Sequence, residues 1–174
     1  MSDNKGLMAG KRGLIMGVAN NRSIAWGIAK SCAAQGAELA FTYQGDALKK
    51  RVEPLAAELN SKIVVPCDVT DEAAVKKLVA ETVQRFGKVD VALLNAGIEG
   101  TVKSFADYPV EMFDKVMAVN VRGVWLGLKY VMQAMEKSGG SIVVTSSTSG
   151  IRATLNMSAY TASKHAVIGL MRSA

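Results

Sequence analysis

The chain has 174 residues, 49% of them hydrophobic and 21% charged, which suits one globular domain with a sizeable core. No apolar run reaches the ~20 residues of a membrane span, and the opening Met-Ser-Asp-Asn-Lys-Gly lacks an apolar signal core, so membrane and secreted classes are set aside. The formal net charge is +6, but the basic residues are scattered and the longest run, Lys49-Lys50-Arg51, falls on a predicted helix; this is a solvated face rather than a nucleic-acid surface, and anionic cofactor phosphates are the more economical partner.

Apolar strands alternate with amphipathic helices, the pattern of βαβ units around a parallel sheet. Leu14–Met16 is the first strand and stops at Gly17. Ser23 caps a helix carrying Ile24, Ile28 and Cys32 on one side, and Gly36 ends it. Glu38–Tyr43 is the second strand. Asp46–Leu59 is helical, with Pro54 as a kink or a late start, and Lys62–Pro66 is the third strand. Thr70 caps a helix whose buried stripe is Val75, Leu78, Val79, Val83 and Phe86, closed by Gly87. Val89–Leu94 is the fourth strand and leads into Asn95-Ala96-Gly97. A long helix follows from about Pro109 to Lys137, broken by Gly139-Gly140. Ile142–Thr145 is the fifth strand. The last helix starts near Ser158 and is still in apolar register at Ala174, as though cut within the element. The whole, 1–174, reads as a single dinucleotide-binding domain with residues 1–10 as a tail. Cys32 and Cys67 have no metal-like spacing; they read as buried small hydrophobes of a reduced, cytoplasmic protein with no metal site.

Strand, glycine, loop, helix is the arrangement that offers backbone N–H groups to a diphosphate. Here Gly17 allows the tight turn, Ser23 and Ile24 open the helix, and Gly27 permits close helix–sheet packing. Asn20 and Asn21 tolerate left-handed backbone, and Arg22 either reaches a phosphate or faces water. After the second strand, where an acid would bind a ribose 2′-hydroxyl, the chain has Gln44. Gln44 can still bond that hydroxyl. No arginine replaces the acid, so NAD (NADH) is favoured over NADP, which stays open. Asp68-Val69 follows the third strand; Asp68 serves the adenine edge, or an Asx turn or cap.

Tyr160 and Lys164 stand four apart on the final helix and therefore share a face. A nearby ammonium favours a phenolate, and such a tyrosine can exchange a proton with an oxygen that becomes or ceases to be a carbonyl. Ser147 stands thirteen residues before the tyrosine, at a strand end, where it could hold the same oxygen. His165 is read as structural.

These residues resemble the short-chain dehydrogenase/reductase superfamily over nearly the whole chain. Two branches meet in it, with a seam at about 70–89. Gly17-Val-Ala-Asn-Asn-Arg-Ser23-Ile-Ala-Trp-Gly27 and Phe41-Thr-Tyr-Gln-Gly-Asp46 are similar to bacterial enoyl-acyl-carrier-protein reductase, which typically uses NADH. Asn95-Ala96-Gly97, Asn120, Ser147 and Tyr160-x-x-x-Lys164 are similar to main-branch alcohol dehydrogenases and ketoacyl reductases. A natural mosaic, an engineered hybrid and a divergent homologue all fit.

The resemblance implies a Rossmann-like α/β fold, a doubly wound parallel sheet of order 3-2-1-4-5 with helices on both faces. It implies hydride transfer between NAD(P) and a small-molecule carbonyl or alcohol. Tyr160 would be the general acid/base. Lys164 would assist it and bond the nicotinamide ribose, Ser147 would orient the substrate oxygen, and Asn120 would hold a water linking Lys164 to solvent. Asn95, Ala96 and Gly97 would back the adenosine ribose. The long and final helices are placed to pair with a second copy. A truncated or chimeric dinucleotide-binding module without turnover, a folding or assembly unit, and an enoyl-acyl-carrier-protein reductase are the alternatives.

Overall fold

The computed structural model describes residues 6–174. Five strands, β1 (Arg12–Met16), β2 (Glu38–Tyr43), β3 (Ile63–Pro66), β4 (Val91–Leu94) and β5 (Ser141–Val144), form one parallel sheet in the order β3-β2-β1-β4-β5. The helices are α1 (Ile24–Ala34), α2 (Gly45–Glu58), α3 (Glu72–Phe86), α4 (Val110–Met117), α5 (Gly123–Met135) and α6 (Ser158–Ser173). The expected order and layering are borne out.

A parallel sheet covered on both faces needs strands that are apolar throughout. In β1, Leu14 and Met16 face one core with Val75 and Leu78 of α3, Leu126 and Val131 of α5 and Val167 of α6. Ile15 faces the other, with Ala25, Trp26 and Ala29 of α1 and Val52 and Leu55 of α2. Asp90 ties the strand starts together. Its Oδ2 accepts from Arg12 N–H at 2.7 Å, its Oδ1 accepts from Lys88 Nζ at 2.9 Å, and its carbonyl accepts from Ser141 N–H at 2.9 Å.

Several local expectations are corrected. In α1 the buried stripe is Ala25, Trp26 and Ala29, while Ile24 is exposed; Trp26 is anchored against Phe41, with ring centres 6.4 Å apart. Gly27 faces open space, so it is the alanines that let α1 approach the sheet. Pro54 lies inside α2, neither starting nor ending it. Asp71, not Thr70, caps α3: its carboxylate accepts from Ala73 N–H, because Thr70 is already engaged with Asp68. The long helix is a rod in three parts, α4, a π-helical turn at Ala118–Arg122, and α5. Residues 1–5 of the expected tail lie outside the described residues. Within residues 6–10, Met8 N–H donates to Gln35 O at 2.9 Å at the end of α1.

Candidate active site

In a doubly wound sheet the ligand crevice opens where the strand order reverses, beyond the carboxyl ends of the strands. That point here lies between β1 and β4. A crevice of about 500 Å³ opens there, lined by Gly17, Ser23, Gln44, Val69, Asn95, Ala96 and Gly97, among others. These belong to the loops after β1, β2, β3 and β4. The volume is in the range of small-molecule and cofactor sites.

Gly17 has φ 92°, and a Cβ there would come within 2.4 Å of Ala96 N. The absence of a side chain is thus what lets the loop after β4 lie against the loop after β1. Asn95 locks the approach: its Nδ2 donates to Gly17 O at 3.2 Å and its Oδ1 accepts from Thr145 Oγ at 2.8 Å. One asparagine thereby joins the ends of β1, β4 and β5.

The start of α1 fits an anion. Ser23 holds the cap position, but its hydroxyl donates to Asn20 O at 2.7 Å and does not cap, and the first turn carries no acid. The N–H groups at the start of an uncapped helix are free donors at its positive end. α3 provides the contrast, closed by Asp71 and with Glu72 in its first turn. Asn20 and Asn21 are not left-handed as expected; Asn20 Oδ1 accepts from Arg22 N–H at 2.8 Å in an Asx turn, which achieves the bend with ordinary backbone angles. The exposed donors of α1 and the close pass at Gly17 suit the diphosphate of a dinucleotide.

Asp68 proves to be in an Asx turn and a clasp. Its Oδ1 accepts from Thr70 N–H at 2.9 Å and from the Thr70 hydroxyl at 2.7 Å, and its Oδ2 accepts from Gln44 Nε2 at 2.7 Å. Burial pushes its carboxyl upward, but these hydrogen bonds outweigh it and hold the group below the usual carboxylate range. In the crevice wall, Cys67 is buried, and its thiol is pushed up to about 12 by burial and by Asp68 and Asp71.

Tyr160 and Lys164 do not line that crevice; α6 brings them together on the far side of Gly97. The Lys164 ammonium lies 5.6 Å from the centre of the Tyr160 ring and donates to Thr145 O at 2.9 Å. Lys164 is buried, and burial lowers its affinity for the proton. Gly97 is the link to the crevice: a Cβ on it would lie 3.7 Å from Lys164 Nζ and 3.2 Å from Asn120 Oδ1. Asn120 sits in the π-helical turn, fully buried. Its Oδ1 accepts from Ile98 N–H at 2.8 Å, and its Nδ2 donates to Ile98 O at 2.8 Å and to Ser163 Oγ at 3.0 Å. Its amide therefore knits the loop after β4 to α6. Ser147 follows β5, and its hydroxyl accepts from Ser149 N–H at 3.1 Å. His165 is exposed, bonded to Thr161 O at 2.9 Å.

Three contributors escaped the sequence reading. Thr145 O holds the Lys164 ammonium, Ser163 joins Asn120 to α6, and Lys115 adds a cation to the crevice wall. Only Ser163 left a trace in the sequence: it lies three residues after Tyr160, in hydrogen-bond reach of its carbonyl at 2.8 Å.

A family model described as enoyl-(acyl carrier protein) reductase matches residues 17–174. The chain belongs to that family. Enoyl-[acyl-carrier-protein] reductase [NADH] 2 of Rhizobium meliloti (strain 1021) is 48% identical over 80% of the chain and 53% of its own length. Levodione reductase of Leifsonia aquatica is 46% identical over 60% of the chain and 40% of its own length. Among solved structures, the enoyl-(acyl-carrier-protein) reductase of Anaplasma phagocytophilum in complex with NAD matches with a TM-score of 0.87 and 32% identity, over 94% of the chain and 64% of that structure. The enoyl reductase family and a levodione reductase thus both match, in keeping with the two branches that meet in the sequence. The chain spans about half the length of the curated relatives it matches. No helix among the described residues is long and apolar enough to cross a membrane.

Proposed function

We propose that this chain is the cofactor-binding and proton-handling part of a NADH-dependent reductase that acts on a carbonyl or its alcohol. The observation that carries the reading is the Lys164 ammonium 5.6 Å from the Tyr160 ring centre, one glycine away from a crevice whose far end presents the uncapped start of α1. The NADH-named Rhizobium relative and the NAD-bound Anaplasma structure support the choice of cofactor.

A bound reduced nicotinamide would supply the hydride. The Gly17 turn and the first N–H groups of α1 hold phosphate, and Gln44 takes a ribose hydroxyl. Val69, Asn95, Ala96 and Gly97 line the same crevice, and Ile24, exposed at the start of α1, is the further cofactor contact. Tyr160 gives its phenolic proton to the substrate oxygen as charge grows there. Lys164, itself buried, supplies the positive charge that stabilises the resulting negative phenol oxygen. Ser147 orients the substrate oxygen. Asn120 holds Ile98 and Ser163, and through them the spacing between the crevice and α6.

A second reading has its own support. The family match over residues 17–174 favours a 2-enoyl thioester as substrate. Consumption of NADH, followed with a panel of ketones and with a 2-enoyl thioester, decides between them. The proposal expects turnover with ketones that disappears in Tyr160→Phe. Turnover with the enoyl thioester alone favours the second reading. Saturable NADH binding with no oxidation of it favours a binding module.

Met117, Val121, Trp125 and Leu170 form an open apolar strip between the α4–α5 rod and α6. This strip is the surface assigned to pairing with a second copy, and Trp125→Glu should shift the sedimentation of a dimer towards monomer. A reducing compartment such as the cytoplasm suits the two free thiols, Cys32 and Cys67.

A further inference from the structure

We infer that Asp68 sets the preference for a dinucleotide without a 2′-phosphate, by fixing which end of the Gln44 amide faces the crevice. The inference deepens the dinucleotide reading and rests on it. Gln44 ends β2, precedes α2 and lines the crevice. Asp68 is bonded to it from the end of β3.

A primary amide has a donor end and an acceptor end of nearly the same shape. Ligand chemistry tells them apart: a ribose hydroxyl can donate, whereas a phosphate dianion only accepts. A carboxylate also only accepts. With Asp68 Oδ2 2.7 Å from the terminal nitrogen of Gln44, that contact has to be an N–H donated to the carboxylate. The carboxylate is itself pinned, because its Oδ1 takes both the N–H and the hydroxyl of Thr70. The order of donors therefore runs from Thr70 and from Gln44 into Asp68, and the Gln44 oxygen is left as the acceptor on the other arm. An acceptor there welcomes a ribose hydroxyl and opposes a 2′-phosphate. The negative charge of Asp68, one hydrogen bond behind, acts in the same sense. Lys49, the cation of α2 nearest in sequence, is drawn over the Tyr43 ring at 6.0 Å and towards Glu53 at 3.8 Å.

Asp68 is thus a positioning residue, and its signature is a ratio of affinities. In Asp68→Asn the side-chain oxygen stays with the two Thr70 donors, so an NH₂ replaces Oδ2. Gln44 must then turn its oxygen inward and present its NH₂ to the crevice. Fluorescence titrations with NADH and with NADPH, on the wild-type chain and on Asp68→Asn, measure the outcome. The ratio of the NADPH to the NADH dissociation constant should fall about tenfold or more, since an acceptor becomes a donor and a charge is removed. Any contact of Asp68 with the adenine half is common to both dinucleotides and cancels in the ratio. A purely structural role would weaken both together and leave the ratio unmoved; that result, with NADH binding intact in wild type, overturns the inference alone. If wild type binds neither dinucleotide, the cofactor reading falls and takes the inference with it. Should Asp68→Asn not give a cooperative thermal transition, Asp68→Ser removes the same charge, and the ratio must again fall.

Discussion

Asn120 has no exposure, and both its N–H groups and one acceptor position of its oxygen are spent on two partners that belong to different parts of the chain, Ile98 and Ser163. Asn120→Ala would strand the N–H and carbonyl of Ile98 and remove the donor to Ser163. With each unpaired buried group costing about 1–3 kcal/mol, the variant should lose about 3 kcal/mol or more, read as a drop in thermal midpoint. A water-holding residue with no structural duty would leave the midpoint unchanged. Tyr160 and Lys164 stood out in the sequence by their spacing, which puts them on one helix face, and Asn120 through the family resemblance. The Ser23 hydroxyl was not legible in the same way. A serine before a helix reads as a cap, and only the fold of the Asn20–Arg22 turn brings Asn20 O close enough to take its proton. The Gln44–Asp68 bond was out of reach for a related reason: it spans two strands, and side-chain pairing between loops leaves no periodic trace.

The helices differ in what their ends are for. α3 is closed by Asp71 and carries Glu72, which accepts from Lys129 Nζ at 3.0 Å and from the Tyr130 hydroxyl at 2.6 Å, fastening α3 to α5. Asp71→Ala should therefore cost about 1 kcal/mol of stability, the usual value of a lost cap, while NADH affinity stays as it was. A loss of affinity matching the loss of stability would mean that the two helix ends are not separate in function. Strands and helices were readable as elements because several apolar runs end at a glycine or an asparagine, as at Gly17, Gly36, Asn60, Gly87 and Asn95. The π-helical turn at Ala118–Arg122 was not. Apolar residues recur on both sides of it, so one extra residue in the turn changes the direction of Asn120 without breaking the pattern.

At the scale of the molecule, the sheet is clamped at both ends, by Asp90 where the strands start and by Asn95 where they finish. Burial pushes the Asp90 carboxyl up, but Lys88, the Arg12 N–H and the charge of Lys11 more than compensate and hold it below the ordinary value. A carboxyl lowered in the folded state contributes its full stability above its unfolded pKa, near ~4, and loses it as pH falls through the folded value. Thermal midpoints should therefore drop between about pH 5 and pH 3, and Asp90→Asn should flatten that drop while lowering the midpoint at neutral pH. An unaltered slope in the variant would remove Asp90 from the account. The parallel sheet was legible from the alternation of elements, whereas its order 3-2-1-4-5 came with the family resemblance, because right-handed crossovers also allow an order such as 2-1-3-4-5. Which of the loops at the strand ends would touch was not legible, because that depends on where a side chain is missing, at Gly17 and Gly97.

The central claim is that the crevice at Gly17 holds a nicotinamide dinucleotide. Titration of the chain with NADH, followed by the fluorescence of the reduced ring, tests it most directly when wild type is compared with Gly17→Val, whose side chain would run into the backbone of Ala96. Saturable binding at one site per wild-type chain is expected, with its loss in a Gly17→Val chain that still melts cooperatively. Equal binding by the two chains, or none by wild type, would contradict it.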